Sequence, residues 1–140
     1  MPQPPITRDR ILDTAEALFA ERGFAGTAVR DIASAVDLTA ASLYNHFSGK
    51  EALYAAVLER GLRPLVDVLE TLASHEHERS ELDATLGAAM EHLSRRPNVA
   101  RLIYHEALTG GAHLVPLTRS WIAPILAHAL GEMKRELGSP

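Results

Sequence analysis

From Thr7 onward the apolar residues recur at helical spacing. Ile11, Leu12, Ala15, Leu18 and Phe19 stand at i, i+1, i+4, i+7 and i+8, one stripe along a helix of about residues 7–22. Gly23 suits a left-handed cap at its end, and Phe24 is then placed to fold back onto the core. Residues 27–54 carry two short helices and the start of a third, each announced by a hydroxyl residue. Thr27 is positioned to cap the first and Thr39 the second. Ser48, with Glu51 three residues on, has the spacing of a capping box at the head of the third. Between the first two lies only Val36-Asp37-Leu38, a tight turn in which Asp37 tolerates a left-handed backbone.

Two short helices joined by such a turn make a helix-turn-helix, whose second helix is the one offered to a DNA major groove. The faces of that second helix suit the role. Leu43 and Phe47 point together toward Ile32, Ala33 and Val36 of the first helix. Ala41 and Asn45 point the opposite way, flanked by Ser42, Tyr44 and His46. That outer face has several hydrogen-bonding groups and no large aliphatic residue. An ordinary solvated helix has the same description, so these residues alone leave both readings open.

The third helix is long. Leu53, Tyr54, Val57 and Leu58 belong to the head, and Leu65, Val66, Val68, Leu69 and Leu72 carry on beyond it. Gly61 and Pro64 fall inside, and Pro64 removes one N–H while its ring crowds the carbonyl of Arg60, which predicts a kink. The domain boundary is placed there, giving a head of 1–60 and a second half of 61–140. The polar run around His75 and His77 ends the helix. Ser80, with Asp83 three on, predicts a further helix carrying Leu82, Leu86, Met90 and Leu93. Pro97 suits the first turn of the next, in which Leu102, Ile103 and Ala107 are expected to be buried. Gly110-Gly111 breaks it. A last helix of about residues 114–137 is apolar over a wide arc, with Pro124 expected to bend it. No strand-like alternation or internal repeat is visible, so the predicted fold is all-α.

Over residues 7–60 the chain resembles the amino-terminal domain of the TetR family of transcriptional repressors. The matching residues are Ile11-Leu12-Asp13-Thr14-Ala15, Leu18-Phe19, Gly23-Phe24, Thr27, Asp31-Ile32-Ala33, Leu43-Tyr44-Asn45-His46-Phe47 and Lys50-Glu51-Ala52-Leu53. Asp37 departs from the glycine usual at that turn. Beyond residue 60 the resemblance is weak. Such chains usually continue for two further helices that build a dimeric four-helix bundle, so 61–140 is expected to be an incomplete regulatory half.

Composition changes this picture little. At 140 residues, 46% hydrophobic and 23% charged, the chain is long enough for a real core. No apolar run approaches the roughly 20 residues of a membrane span, and no signal-peptide pattern opens the chain, whose Pro-rich residues 1–6 should be mobile. The absence of cysteine removes any disulfide framework or thiolate metal site, and the cytoplasm is the expected location. A net charge of −4 argues against indiscriminate nucleic-acid binding. Through Arg63 there are seven basic and eight acidic residues. A specific binder needs only local positive charge and helix N-termini.

Chemical motifs are missing. His75 and His77 do not share a helix face, His105-Glu106 lacks the second histidine of H-E-x-x-H, and there is neither a phosphate-loop glycine pattern nor a G-x-S-x-G elbow. Most of the seven histidines sit among charged residues and read as solvated. No catalytic residue, metal site or cofactor is expected.

The resemblance implies a ligand-responsive repressor, released from a palindromic operator in double-stranded DNA by a small-molecule inducer and acting as a homodimer. An all-helical interaction module and a bundle enzyme are the alternatives. Lys50, at a helix N-terminus, is expected on phosphate; Thr27, Tyr44 and His46 on the DNA backbone by family pattern; Arg30 on backbone or base. Asn45 is the expected base reader, Ala40 and Ala41 offer only methyl contact, and Thr39 and Ser42 complete the surface. Met90, Tyr104, His105 and Trp121 are the expected ligand-binding residues, because they bring polarizable and hydrogen-bonding groups to aliphatic faces. Ile122, Ile125 and Met133 are left as the apolar surface for a second copy.

Overall fold

The computed structural model describes residues 7–74 and 78–138. The expected mobility of residues 1–6 and the readings of His75 and His77 lie outside them. Seven helices and no strand are formed by the described residues: α1 (Arg8–Arg22), α2 (Val29–Ala35), α3 (Ala40–Leu43), α4 (Lys50–Ala73), α5 (Arg79–Arg95), α6 (Pro97–Leu108) and α7 (Leu114–Leu137).

The first helix starts where Thr7 accepts the Arg10 amide at 3.2 Å and stops at Gly23, whose φ of 76° a side chain would resist. Its stripe of Ile11, Leu12, Ala15 and Phe19 is buried with Ile32, Ala33, Val36, Leu43, Phe47, Leu53, Val57 and Leu58, one core under the first four helices. Leu102 of α6 enters the same core and adds about 2 kcal/mol by its burial. The head therefore does not pack alone. Charge ties the same elements from outside. Arg60 of α4 meets Asp13 at 2.8 Å and the buried Glu16 at 3.5 Å, and Arg96 at the α5–α6 junction reaches Glu16 at 3.5 Å.

Several helix starts differ from the pattern-based expectation. Thr27 does not cap α2: the N-cap is Ala28, without a side-chain bond. The Thr27 hydroxyl instead donates inward to the Gly23 carbonyl at 2.8 Å, satisfying a buried backbone acceptor at the α1 terminus. Ser48 and Glu51 form no capping box, because Gly49 occupies the N-cap in a fully extended conformation and α4 begins at Lys50. The fifth helix begins at Arg79, one residue before Ser80, after an N-cap at Glu78 that makes no side-chain cap bond.

Pro64 lies inside α4, which remains helical from Lys50 to Ala73 around it, and Pro124 lies likewise inside α7. Gly61 is a packing position: a β-carbon there would stand 3.1 Å from Val99 Cγ2, and its carbonyl takes a bond from His92 Nε2 at 2.9 Å. In α6 the expected burial holds for Leu102, while Ile103 is only half-buried and Ala107 is exposed. Glu106 is the residue buried in their place, because its carboxylate is fully partnered. Leu86 and Met90 of α5 and Leu126, Leu130 and Met133 of α7 are exposed, whereas Ile122 and Ile125 are half-buried.

Candidate nucleic-acid interface

The turn between α2 and α3 is built as its sequence requires. Asp37 takes φ 58°, the left-handed conformation expected of it, and the amides of Asp37 and Leu38 reach the carbonyls of Ser34 and Ala33 at 3.1 and 2.8 Å. Thr39 then caps α3: its oxygen accepts the Ser42 amide at 3.1 Å and its hydroxyl donates to Ser42 Oγ at 3.0 Å. The helix proper is one turn, prolonged by the amides of Tyr44, Asn45, His46 and Phe47 bonding back to residues 40–43.

Burying Leu43 and Phe47 sets the rotation of this short helix. Its other face carries Ala41, Tyr44, Asn45 and His46, all exposed, with Thr39 exposed at one end. Ala40 and Ser42 are half-covered, and Arg30 of α2 is exposed. Of the ten side chains expected on DNA, nine reach the surface. Thr27 does not: it is 1% exposed, its hydroxyl is turned into the head, and it has nothing to offer a phosphate.

Lys50 opens α4 behind a glycine N-cap that supplies no side-chain acceptor. The first-turn amides of this 24-residue helix therefore lack a capping side chain and point with the positive end of its dipole. The Lys50 ammonium lies 4.1 Å over the ring of Phe24, so it is guided as well as charged. Arg8 lies 4.6 Å over Phe47 in the same manner.

Phe24 leads from this surface to the later helices. Its ring is 4.1 Å from His113 and 5.0 Å from Tyr54. Tyr54 of α4 donates to Glu106 Oε1 at 2.7 Å. The other carboxylate oxygen accepts the amides of His113 and Leu114 at 3.2 and 3.0 Å, and His113 Nδ1 stands 3.3 Å from Oε1. Glu106 thus supplies the missing cap of α7 from the neighbouring helix, at the end where the dipole favours an anion. Burial by itself would raise its carboxyl pKa. The bond from Tyr54, those from the Leu114 and His113 amides and the charge of His113 outweigh burial and hold it below the ordinary carboxylate range. Tyr54 is pushed the other way, above the ordinary phenol value, by its burial and then by its bond to Glu106 and that residue's charge.

The four residues expected around a ligand are not gathered in one place. Met90 and Tyr104 are 65% and 63% exposed, and Trp121 is half-buried against the core. His105 alone lines the cavity of about 210 Å³ between the α1–α2 turn and the α6–α7 corner, and its Nε2 bonds the Ala20 carbonyl at 2.8 Å. Tyr104 and His105 are in edge-to-face ring contact, yet only His105 lines the cavity, so side-chain chemistry at helical spacing did not imply a shared pocket. The histidines are also less solvated than expected, since His92, His105 and His113 each hold a tertiary contact. Sequence gave little sign of the Tyr54–Glu106 bond. A glutamate inside an apolar helix face was its one available signal.

No helix among the described residues is long and apolar enough to cross a membrane. Residues 11–57 match the family described as bacterial regulatory proteins, tetR family. The chain is 32% identical over 103 residues to a protein of Bacillus subtilis (strain 168) named "Probable HTH-type transcriptional regulator YttP", covering 71% of this chain and 50% of that one. It is 40% identical over 85 residues to the HTH-type transcriptional repressor KstR2 of Rhodococcus jostii (strain RHA1), covering 60% and 42%. It spans about half the length, or less, of these relatives. Among solved structures, SmeT, the repressor of the Stenotrophomonas maltophilia multidrug efflux pump SmeDEF, superposes with a TM-score of 0.67 at 27% identity, over 95% of this chain and 65% of that one. With an all-helical architecture, a helix-turn-helix built from the matched residues and these relatives, residues 11–57 form a domain of the tetR family of bacterial regulatory proteins.

Proposed function

We propose that the protein is a sequence-specific DNA-binding transcriptional regulator, a repressor that a small-molecule inducer releases from a palindromic operator. The observation that carries this reading is the outward face of α3. Ala41, Tyr44, Asn45 and His46 are exposed on one side of a turn that Leu43 and Phe47 anchor on the other. Asn45 reads a base, because a side-chain amide pairs with adenine N6 and N7 for about 1–3 kcal/mol of discrimination. Lys50 and the first-turn amides of α4 hold phosphate, and Tyr44, His46, Thr39 and Arg30 hold backbone beside it. Ala40, Ala41 and Ser42 leave room for the groove wall to approach. Thr27 has a structural role only.

The relatives that carry the words regulator or repressor support this reading, as does an all-helical frame whose matched residues match no catalytic motif. We divide the chain into a DNA-binding head, 1–60, and a regulatory half, 61–140. The homodimer rests on the need for two heads to read two half-sites, with the exposed Leu126, Leu130 and Met133 of α7 available to the second copy. A salt titration of binding to a selected duplex tests the reading. A steep fall in affinity with salt, together with preference for one sequence, is expected. Equal, salt-insensitive affinity for every duplex, or none at all, would leave an interaction module as the better description.

A further inference from the structure

The cavity at the junction of head and later helices plays no part in reading DNA. It encloses about 210 Å³ and is lined among others by Gly23, Phe24, Tyr54, His105, Ala112 and His113. An engineered cavity of about 150 Å³ holds benzene, so one substituted aromatic ring fits this space. Its walls are flat: the Phe24, Tyr54 and His113 rings stand 4.1–5.2 Å apart in pairs. On the head side Gly23 keeps it open, since a β-carbon there would come within 3.3 Å of His105 Nδ1.

The polar groups decide what can enter. Glu106 is spent, with both oxygens bonded to Tyr54, His113 and Leu114. Arg22 is paired with Asp31 at 3.5 Å. His105 Nε2 faces a carbonyl, which can only accept, so Nε2 carries the hydrogen and Nδ1 of the neutral ring is an acceptor. Nδ1 bonds to no other described residue. Aromatic walls with an open acceptor at His105 Nδ1 complement an aromatic ring with one donor.

We infer that this junction cavity is a binding site for a small uncharged aromatic molecule carrying a single hydrogen-bond donor, of the phenol class. Phe24 forms part of its wall and also lies under the Lys50 ammonium, so an occupant that turns the Phe24 ring shifts Lys50. That consequence, unlike binding itself, rests on the DNA-binding reading above.

The test is an NMR titration of the isotopically labelled 140-residue chain at pH 8, with phenol as probe and anisole, which lacks the donor, as control. Saturable shifts at the amides of Gly23, Phe24 and Gly26 are expected, with anisole about tenfold weaker, equivalent to about 1.4 kcal/mol. Ala112→Leu fills the cavity from its exposed rim and should weaken phenol at least tenfold. His105→Phe should abolish the preference for phenol over anisole. Non-saturating shifts, or equal affinity for the two probes, would overturn the inference. So would phenol binding unchanged in folded Ala112→Leu. If either variant does not fold, the phenol–anisole comparison in the unaltered chain still decides. No DNA enters the measurement, so a failure here leaves the DNA reading standing, and a failure to bind DNA leaves this site standing.

Discussion

Tyr54 and Glu106, 52 positions apart, meet at 2.7 Å and hold the helix that opens beside the exposed face of α3 to the corner from which α7 departs. The bond is buried and ends on an ionised carboxylate, the kind whose loss is felt most. Tyr54→Phe should lower unfolding free energy by about 2 kcal/mol, and Glu106→Ala by more, since it orphans the tyrosine hydroxyl and two amides at once. Urea denaturation of the three proteins measures both.

The same pair sets the pH range. Glu106 has a lowered folded pKa, so the unfolded chain binds its proton first as pH falls. Its contribution is present above the ordinary carboxylate range, about pH 4.3, and is lost as pH falls through the folded value. Tyr54 has a raised folded pKa, so above about pH 10 the unfolded chain gives up a proton that the native one keeps, and stability falls with rising pH. Stability curves should therefore drop at both ends. Glu106→Gln should flatten the acid limb and Tyr54→Phe the alkaline one.

Thr27 separates a structural role from a DNA contact. Thr27→Val keeps the shape but leaves the Gly23 carbonyl without its hydroxyl partner. A loss of about 1–2 kcal/mol in stability is expected, with no change in the salt slope of DNA binding by the folded protein. A reduced slope would return Thr27 to the contact surface.

The contrast between Thr27 and Thr39 shows what sequence could and could not supply. Both precede a short helix, and Thr39 caps as its position suggests, since both of its side-chain bonds go to Ser42 in the first turn. Thr27 stands beside the end of α1, where the buried Gly23 carbonyl four residues back takes its hydroxyl, a bond the capping pattern does not register. The helices themselves were legible because Leu43 with Phe47, and Ile11 with Ala15 and Phe19, repeat at helical spacing and all become core. The corner around Glu106 was not legible. Its partnering groups come from Tyr54, 52 positions earlier, and from His113 and Leu114 across the α6–α7 corner, and a lone acidic residue in an apolar face looks like a surface position until they are placed. Met90 and Tyr104 face outward, which periodicity alone could not assign.

Gly61 should behave as a contact, not a hinge. Gly61→Val inserts side-chain atoms where Val99 already stands and should cost about 1–3 kcal/mol. Val99→Ala should recover part of that loss when combined with it. Thermal unfolding of the two single variants and the double variant gives the coupling, and strict additivity would place the strain elsewhere.

The central claim is that the exposed face of α3 reads DNA sequence while Lys50 holds phosphate. The most direct measurement selects duplexes from a random pool with the unaltered chain, then titrates the recovered sequence with salt for wild type, Asn45→Ala and Lys50→Ala. Wild type should enrich one short motif, single or as an inverted repeat, and bind it with a steep negative salt slope. Asn45→Ala should lose preference at one base pair per half-site, while Lys50→Ala should weaken all duplexes alike and make the slope shallower by about one unit. Recovery of no motif by the wild-type chain, or of the same full preference by Asn45→Ala, would contradict the account.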